Sequence, residues 1–330
     1  MMRPMLAAQK YRSAGDLWGP LHEKVAAGHL LRDGYLIVQP KIDGMRCCFD
    51  EGVARSRSWK PLGNKFLQKL AQAHGDINMD GSDAEVVAGH IYDPNVFRES
   101  MSGIRAEDGS PEFTVYLFDT FYRPEWPYTK RRGLAEILVG KTGGLVQGID
   151  WAAKIVLCPQ IQVSSLEQLY EEERRLVELG WEGAIVRRHN MPYKFGRATA
   201  LGGELVKVKR RQTIDAVITG YGAWEENQNE ATTSALGYTT RSAHQEGKQA
   251  LERLGYWKVR RLDEVTRTPT GPEFKVGVFR NVSHADRDRL WTDRESYIGK
   301  YCELSIDGAS GGYEAPRCPV LLRFRSDFEF

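Results

Sequence analysis

Short apolar runs bounded by turn residues recur along the first 212 residues of the chain. The apolar run at 35–38 lies between Gly34 and Pro40, and this pattern predicts a short buried strand. Similar runs predict three more strands, at 115–118, 184–186 and 205–209. The last of these alternates apolar and basic residues, which is typical of a strand with one buried face.

Helical patterns separate these strands. Apolar residues at helical spacing predict helices over 66–73 and 166–179, and the second is expected to end at Gly180. The first 35 residues are interrupted by glycine and proline, so we expect them to be helical or irregular. Strands interleaved with helices predict a mixed α/β (α+β) domain that covers residues 1–212.

The pattern changes in residues 213–330. Helical periodicity is weak there except around 245–254, and short β-like runs lie between turn residues at 216–221, 274–279, 301–306 and 320–328. We therefore expect an all-β barrel domain over 213–330. The polar and poorly patterned segment 223–245 predicts a surface insertion or a flexible loop.

The composition is that of a globular protein. The 330 residues include 46 basic and 44 acidic side chains, and 41% of the chain is hydrophobic, so general disorder is excluded. No window approaches 18 consecutive apolar residues, so we expect no membrane association. The N-terminal residues lack the pattern of a secretory signal, and the five cysteines form no CxxC pair. We therefore expect free thiols and a cytoplasmic location.

A lysine follows the first predicted strand directly, in the sequence Lys41-Ile42-Asp43-Gly44. This tetrapeptide alone is typical of a solvated lysine beside a turn. Four further segments come after it in a fixed order, and each one alone is consistent with a half-buried strand that has a charged outer face. They are a basic segment at 52–66, an acidic one at 82–87, an aromatic one at 116–121 and a basic region at 181–211.

The region 181–211 carries most of the excess positive charge. It contains eight basic and two acidic residues, a local charge of +6 against +2 for the whole chain. The pattern favours a face that binds a polyphosphate or a nucleic-acid backbone. The alternative is an ordinary solvated basic surface.

Taken together, these motifs resemble the nucleotidyltransferase motifs of the ATP-dependent DNA ligases, and most of all those of the small bacteriophage-type enzymes. The resemblance covers about residues 31–330. It implies a nucleotidyltransferase (adenylation) domain followed by an OB-fold barrel, with 274–277 and 317–327 carrying the likeness in the barrel.

The resemblance also implies a role for individual residues. Lys41 corresponds to the catalytic lysine that becomes adenylated, and Phe118 to the aromatic side chain that stacks on adenine. Gln39 lies where many relatives place a glutamate that reads the adenine amino group. The remaining ATP- or AMP-binding residues implied in this way are Arg46, Arg57, Glu85, Glu182, Lys207 and Lys209.

Two carboxylates and several basic residues complete the implied site. Glu85 and Glu182 are expected to bind Mg²⁺, directly or through water. Glu85 ends Asp83-Ala84-Glu85, where alanine replaces the glycine of the family motif, and the nearby Asp80-Gly81 offers a competing register. The basic residues expected to contact DNA are Arg57, Lys60, Arg197, Arg210 and Arg211.

The C-terminal motif of the larger relatives is incomplete here. Where they have Arg-x-Asp-Lys, this chain has Arg325-Ser326-Asp327-Phe328, so the lysine is missing. Either Arg323 or another basic residue substitutes for that lysine, or the step proceeds without it.

The resemblance implies an ATP- and Mg²⁺-dependent ligase that seals nicks in duplex DNA, as in DNA replication and repair. The protein is expected to act as a monomer in the cytoplasm, which is the host cytoplasm if a phage encodes it. A hinge near residues 212–215 would let the barrel move. The alternatives are an RNA ligase, an mRNA-capping guanylyltransferase and, from another class, a non-catalytic nucleic-acid-binding protein.

Overall fold

The computed structural model describes residues 3–11, 31–73, 78–93, 95–109, 112–142, 145–147, 152–199, 202–208, 211–233, 239–242, 244–278, 282–307 and 315–325. The chain forms two compact units, Met1–Arg210 and Arg211–Phe330, which we call the N-terminal unit and the barrel unit. In the described ranges, no helix is long and apolar enough to cross a membrane.

In its described residues, the N-terminal unit contains short strands and four helices of 7 to 15 residues. Its strands are β1 Met5–Leu6, β2 Ala8–Tyr11, β3 Leu36–Pro40, β4 Met45–Asp50, β5 Val53–Arg55, β6 Ser82–Ala88, β7 Phe113–Thr120, β8 Leu145–Gln147, β9 Ala152–Leu157, β10 Ile161–Val163, β11 Ala184–Arg188, β12 Gly196–Arg197 and β13 Val206–Val208. Its helices are α1 Lys65–Ala71, α2 Val96–Arg105, α3 Tyr128–Thr142 and α4 Leu166–Glu178.

These strands form two larger sheets. The first has six strands in the order β5-β4-β6-β7-β9-β8, and the second has five in the order β10-β3-β11-β13-β2. Both sheets mix parallel and antiparallel pairs: β7 and β9 are parallel, whereas β3 and β11 are antiparallel. The two short strands β1 and β12 form a separate parallel pair.

Strand β7 shows how the six-stranded sheet divides its two faces. Val115 and Leu117 are fully buried in the main core beneath α1, while Tyr116 and Phe118 point to the opposite face and are half-buried. This alternation follows from the two-residue period of a strand. The sheet therefore has an apolar core on one side and a partly open face on the other.

The second sheet has its own core. Leu36, Val38 and Val186 pack against Leu169 and Leu176 of α4, all of them nearly inaccessible to solvent. Helix α4 begins at the N-cap Ser165, whose side chain accepts a hydrogen bond from Gln168 N, and ends before Gly180 at a φ of 88°. The strands predicted from the sequence at 35–38, 115–118, 184–186 and 205–209, and the helices predicted at 66–73 and 166–179, are confirmed within a few residues.

The barrel unit contains a closed barrel with the strand order β14-β17-β18-β20-β19. Its strands are β14 Arg211–Asn227, β15 Ala231–Thr233, β16 Thr239–Arg241, β17 Lys248–Leu262, β18 Pro269–Gly277, β19 Tyr301–Asp307 and β20 Arg317–Phe324. One helix, α5 His284–Thr292, packs on β17, and single 3₁₀ turns lie at Gln245–Gly247 and Arg294–Tyr297. The apolar core centres on Trp257, which is fully buried.

Several sequence-based expectations about local structure are wrong. Strands β1 and β2 replace the helical or irregular structure expected at 5–11; they pair with later strands and have too few residues to show a period. Residues 12–30, which the same expectation covers, lie outside the described residues. Residues 245–254 form a 3₁₀ turn and the start of β17 rather than a helix. Helix α5 was not anticipated, because it has no fully buried side chain and hence no apolar stripe.

The segment 223–245 is also more regular than expected. Strand β14 extends through its first residues, and β15 pairs with β16 in an antiparallel hairpin. The expected hinge at 212–215 lies inside β14, where each residue is paired with β19. Movement of the barrel about a hinge near these residues stays a prediction.

Candidate active site

Lys41 lies at the junction of the two sheets of the N-terminal unit. It follows β3 directly, and its backbone N–H donates to Gly183 O at 2.9 Å, just before β11. Gly44 closes the turn after it so tightly that a Cβ on this residue would lie 2.3 Å from Val86 O of β6. The glycine therefore lets the turn lie directly against the six-stranded sheet.

The Lys41 side chain forms an ion pair with Glu182, which precedes β11. Both side chains are largely buried, with 22% and 11% of their surface exposed. Burial alone would lower the pKa of Lys41, but the negative charges of Glu182 and Glu85 outweigh it and raise the pKa. The charged neighbours therefore favour the ammonium form of the amine.

A row of side chains crosses the half-buried face of the six-stranded sheet. Arg46 of β4 is paired in register with Glu85 of β6, and Glu85 is paired with Tyr116 of β7. Paired residues in adjacent strands point to the same face. The Arg46 guanidinium also lies 5.0 Å from the centre of the Phe118 ring. Glu85, Arg46 and the aromatic rings of β7 thus share one face.

Glu85 is buried without full charge compensation. Burial raises its pKa to about 7, against the opposing influence of Lys41 and Arg46. In contrast, Asp80 of the competing register accepts a hydrogen bond from Gly52 N at 2.9 Å in a turn. The geometry supports the register that assigns Glu85 to the site.

Hydrogen bonds to the Asp83 carboxylate hold the Arg46 side chain in place. Arg46 Nε donates to Asp83 Oδ1 at 2.7 Å, Arg46 Nη2 also bonds this carboxylate, and the Tyr193 hydroxyl donates to Asp83 Oδ2 at 2.6 Å. Asp83 is fully buried. The charge of Arg46 is thus neutralised on one side while its plane faces Phe118, and sequence reasoning missed Tyr193, whose distance along the chain gave no signal.

Gln39 lies two residues before Lys41 on β3 and is 1% exposed. Its Nε2 donates to the Tyr128 hydroxyl at 3.1 Å, and that hydroxyl donates to Gln160 Oε1 at 2.6 Å. The hydroxyl also lies 3.3 Å from Phe118 O. Sequence reasoning identified Gln39 and Phe118 but missed Tyr128 and Gln160, which connect them.

A second row of side chains crosses the five-stranded sheet. Ile185 of β11 is paired in register with Gln39 of β3 on one side and with Lys207 of β13 on the other. Lys207 therefore points to the same face as Gln39. Lys209, its expected companion, lies outside the described residues.

Three of the basic residues expected to contact DNA are exposed. Arg57 and Lys60 are exposed in the turn that follows β5, and Arg197 is exposed on β12, where it donates to Ala7 O at 3.2 Å. Arg210 lies outside the described residues. For Arg211 the structure describes the backbone at the start of β14.

The region 181–211 is not one solvated basic face. Arg187 and Arg188 are 1% and 3% exposed and form ion pairs with Asp119 and Asp33, respectively. Lys194 pairs with Glu204 at 3.3 Å. Much of the excess positive charge counted from the sequence is thus neutralised by carboxylates within the fold, since buried arginines require carboxylate partners.

In the barrel unit, the two arginines considered as substitutes for the missing lysine form ion pairs. Arg323 Nε lies 2.6 Å from Glu303 Oε2, and Arg325 Nη2 lies 2.9 Å from Asp215 Oδ1. Ser326, Asp327 and Phe328 lie outside the described residues.

The arrangement suits chemistry on a phosphate ester. An amine, two carboxylates and a guanidinium lie together with an aromatic ring, and a second lysine shares a sheet face with an amide. Cationic side chains and carboxylate-bound cations are the groups that neutralise a phosphoryl centre. The ring and the amide offer stacking and hydrogen bonding to a planar base.

Of the comparisons with known proteins, the one with solved structures found similar proteins. No protein-family model matches the chain, and no curated protein matches it. Among solved structures, one of the Lig E DNA ligases is 18% identical, has a TM-score of 0.60, and covers 97% of this chain and 99% of its own. The structure Pmar-Lig_Pre is 19% identical, has a TM-score of 0.61, and covers 98% and 67%.

The adenylated DNA ligase of Chlorella virus is 22% identical, with a TM-score of 0.48, over 98% of this chain and 99% of its own. All three sequence identities are below 25%, so these comparisons show a likeness of fold. On the first two structures, the chain has the fold of these DNA ligases, from the N-terminal unit through the barrel unit.

Proposed function

We propose that this protein is an ATP- and Mg²⁺-dependent DNA ligase that seals nicks in duplex DNA. The observation that carries the proposal is the position of Lys41: its buried amine contacts Glu182, lies in the field of Glu85, and faces the row that contains Arg46. This cluster lies in a chain that has the fold of DNA ligases.

The residues around Lys41 divide between the base and the phosphates. Phe118 offers its half-buried ring as a stacking surface for adenine. The Tyr128 hydroxyl links the Gln39 amide to the backbone carbonyl of Phe118. Arg46 and Lys207 carry positive charge on the faces that meet at Lys41, where they would bind the triphosphate. We assign Arg57, in the exposed turn after β5, to the ribose and phosphates, and Lys209 to the same phosphates as Lys207.

The carboxylates fit a magnesium ion. Burial raises the pKa of Glu85 to about 7, so this carboxylate lacks sufficient compensating charge, which a divalent cation would provide. Among the described residues, no three His, Cys, Asp or Glu side chains form a ready metal cage. This suits Mg²⁺, which commonly binds one or two carboxylates and completes its shell with water and substrate phosphates. Glu85 and Glu182 would hold the ion, and its charge would offset that of the phosphates.

Lys41 would act as the nucleophile. Its ammonium group must first lose a proton, and the carboxylate of Glu182, to which it is already hydrogen-bonded, is the nearest acceptor. The amine then attacks the α-phosphorus of ATP. A phosphorus–nitrogen bond forms, the bond to the bridging oxygen breaks, and pyrophosphate leaves with the electron pair.

The AMP group would next move from Lys41 to the 5′-phosphate at a nick, which frees the amine. The adjacent 3′-hydroxyl then attacks that phosphate, joins the strands and releases AMP. We assign adenylation to the N-terminal unit, as a nucleotidyltransferase domain, and duplex binding to the closed barrel, as an OB-fold domain. Arg57, Lys60, Arg197, Arg210 and Arg211 are the proposed DNA-contacting residues of a monomeric enzyme.

The first experiment is to incubate the full chain with ATP and Mg²⁺ and to search by mass spectrometry for AMP bound to Lys41. The adduct should form on this residue, disappear in Lys41→Ala, and fail to form when EDTA removes the metal. Lys65→Ala is the matched control, because Lys65, at the start of α1, is exposed and pairs with Glu107 and Asp108 in the loop after α2. It should form the adduct like the parent protein.

A second assay identifies the substrate. Label from ATP with sealing of a nicked DNA duplex supports the proposal, whereas label from GTP alone would indicate a capping enzyme. Sealing of nicked RNA but not DNA would indicate an RNA ligase. If the parent protein binds DNA yet forms no adduct with either nucleotide, the enzymatic proposal is wrong.

A further inference from the structure

We propose that Tyr128 and Gln160 are positioning residues that fix the orientation of the Gln39 amide and thereby set the preference for adenine over guanine. This inference rests on the proposed function, because it concerns the base of the nucleotide that reacts with Lys41. It adds two residues, from α3 and from the loop before β10, that lie outside the motifs recognised in the sequence.

The direction of the hydrogen bonds follows from their lengths. A tyrosine hydroxyl carries one proton and can donate to one acceptor at a time. The distance of 2.6 Å from the Tyr128 hydroxyl to Gln160 Oε1 is typical of an O–H···O bond. The proton is therefore committed to Gln160, and the oxygen of Tyr128 is left to accept a bond.

The Gln39 amide has to supply that bond. Its nitrogen lies 3.1 Å from the Tyr128 oxygen, a normal length for N–H···O. If the amide were rotated by half a turn, Gln39 Oε1 would face the lone pairs of the Tyr128 oxygen, and both groups would be buried acceptors without a shared proton. The chain Gln39–Tyr128–Gln160 thus favours one of the two amide orientations.

The orientation determines what Gln39 offers to a base. With Nε2 bound to Tyr128, the other branch of the planar amide directs Oε1 away from that contact, and no described residue donates a hydrogen bond to it. Lys41 follows Gln39 by two residues, and the backbone carbonyl of Phe118 lies 3.3 Å from the Tyr128 hydroxyl. Gln39 Oε1 is therefore the group of this amide that is left to accept a hydrogen bond from a base.

An acceptor at this place discriminates between the two purines. Adenine carries an exocyclic amino group that donates to Oε1, whereas guanine carries a carbonyl oxygen at the corresponding position and would meet another acceptor. A reversed amide would present N–H and favour guanine instead. A glutamate at this position would accept a bond with either of its oxygens, so glutamine requires the two positioning residues and glutamate does not.

Tyr128 is well placed for this role. It is 1% exposed, and its ring packs 4.3 Å from the Arg187 guanidinium, which holds the ring in position. Burial raises the pKa of its hydroxyl to about 12, so the proton stays in place throughout the neutral range. Tyr128→Phe removes the hydroxyl and keeps the ring against Arg187, so it isolates the hydrogen bond.

The test measures the initial rates of adduct formation on Lys41 with ATP and with GTP, for the full chain. We expect Tyr128→Phe to lower the ATP-to-GTP rate ratio by about tenfold or more, which is the size expected when one buried hydrogen bond no longer selects an orientation. Tyr122→Phe is the matched control, since Tyr122 is 63% exposed, and its ratio should equal that of the parent. Gln160→Leu, which changes a partly exposed residue, should lower the ratio in the same direction.

A double-variant cycle separates positioning from a general structural effect. In a Gln39→Glu background, Tyr128→Phe should no longer change the nucleotide ratio, because a carboxylate has no orientation to fix. If Tyr128→Phe and Gln160→Leu both keep the parent ratio within twofold, or if Tyr128→Phe changes it equally in the Gln39→Glu background, the inference is wrong. If the parent protein forms no adduct, the proposed function fails first, and this outcome is distinct from an unchanged ratio.

Discussion

The buried charge cluster around Asp119 offers a direct test of how the N-terminal unit is held together. Asp119 follows Phe118 near the end of β7, and its carboxylate accepts bonds from Arg131 at 2.9 and 3.0 Å and from Arg187 at 2.5 Å. These three side chains are each about 1% exposed. The cluster connects β7, α3 and β11, so it joins the two sheets directly behind the proposed active site.

Asp119→Ala should destabilise the N-terminal unit strongly. Removing one partner of a buried ion pair typically costs about 3–5 kcal/mol, because the remaining charge is left uncompensated. Here one carboxylate serves two guanidiniums, so its loss leaves two buried positive charges without this partner. We therefore expect a loss near the upper end, about 5 kcal/mol, which is comparable with the whole stability of a small domain.

The expected loss depends on pH in a defined direction. Burial would raise the pKa of Asp119, but Arg131 and Arg187 outweigh it and lower the pKa. The carboxylate therefore stabilises the folded state fully above the pKa of an unfolded aspartate, about 3.9, and this contribution disappears as the pH falls through the lower folded-state value. The difference between the parent and Asp119→Ala should be largest near neutral pH and should shrink below about pH 4.

Hydrogen exchange measured by mass spectrometry is suited to a chain with two units, since each unit reports its own opening free energy. Peptides from β7 and β11 should lose protection in Asp119→Ala, whereas peptides from β19 serve as an internal control. Asp108→Ala is the matched substitution, because Asp108 is 79% exposed and pairs with Lys65. It should leave protection unchanged within error.

A loss below about 1 kcal/mol in the N-terminal unit would refute this reasoning, since two buried guanidiniums would then tolerate the absence of their carboxylate. A triple variant provides a second check. Asp119→Leu combined with Arg131→Met and Arg187→Met should recover much of the stability, because apolar residues of similar volume often replace a buried charge cluster without net cost. Failure of the triple variant to improve on Asp119→Ala would show that packing rather than charge determines the loss.

Three further substitutions have outcomes that the structure defines. Gly44→Ala should lower the unfolding free energy measured in urea by about 1–3 kcal/mol and slow adduct formation, because a Cβ there would lie 2.3 Å from Val86 O. Gly63 has open space around it, so Gly63→Ala should be neutral. Asn64→Ala should cost about 2–3 kcal/mol by the same measurement, since Asn64 caps α1 and its amide also donates to three backbone carbonyls in the 103–109 segment. Tyr193→Phe should lower the unfolding free energy by about 1–3 kcal/mol and weaken ATP binding in a titration, because the lost hydroxyl bonds Asp83, the partner of Arg46. Unchanged ATP binding would show that Arg46 does not depend on this support.

The local pattern of residues was sufficient to predict most strands and helices of the proposed site. The apolar run before Lys41 and the alternation in β7 are properties of a few neighbouring residues, and the structure confirms both elements. The order of the motifs also predicted which residues belong together. Lys41, Glu182, Glu85 and Arg46 lie between 5 and 141 positions apart in the chain, yet they converge.

Elements whose residues show no internal period could not be predicted from the sequence. Strands β1 and β2 have two and four residues, so their existence depends on the distant strands with which they pair. Helix α5 has no buried stripe, and its capping box at Ser283 was the sequence signal that could have indicated its start.

By itself, the sequence determined the positions of the short buried strands, the lysine proposed as the nucleophile and the order of the charged motifs, because each depends on residues that are close along the chain. Tertiary structure alone decided which charges are available. It buried Arg187 and Arg188 against carboxylates, set Asp83 beneath Arg46, and aligned Gln39 through Tyr128 and Gln160. The physical reason is that the charge state of a group and the direction of its hydrogen bonds depend on neighbours in space and on burial, and both are fixed only when distant segments pack together.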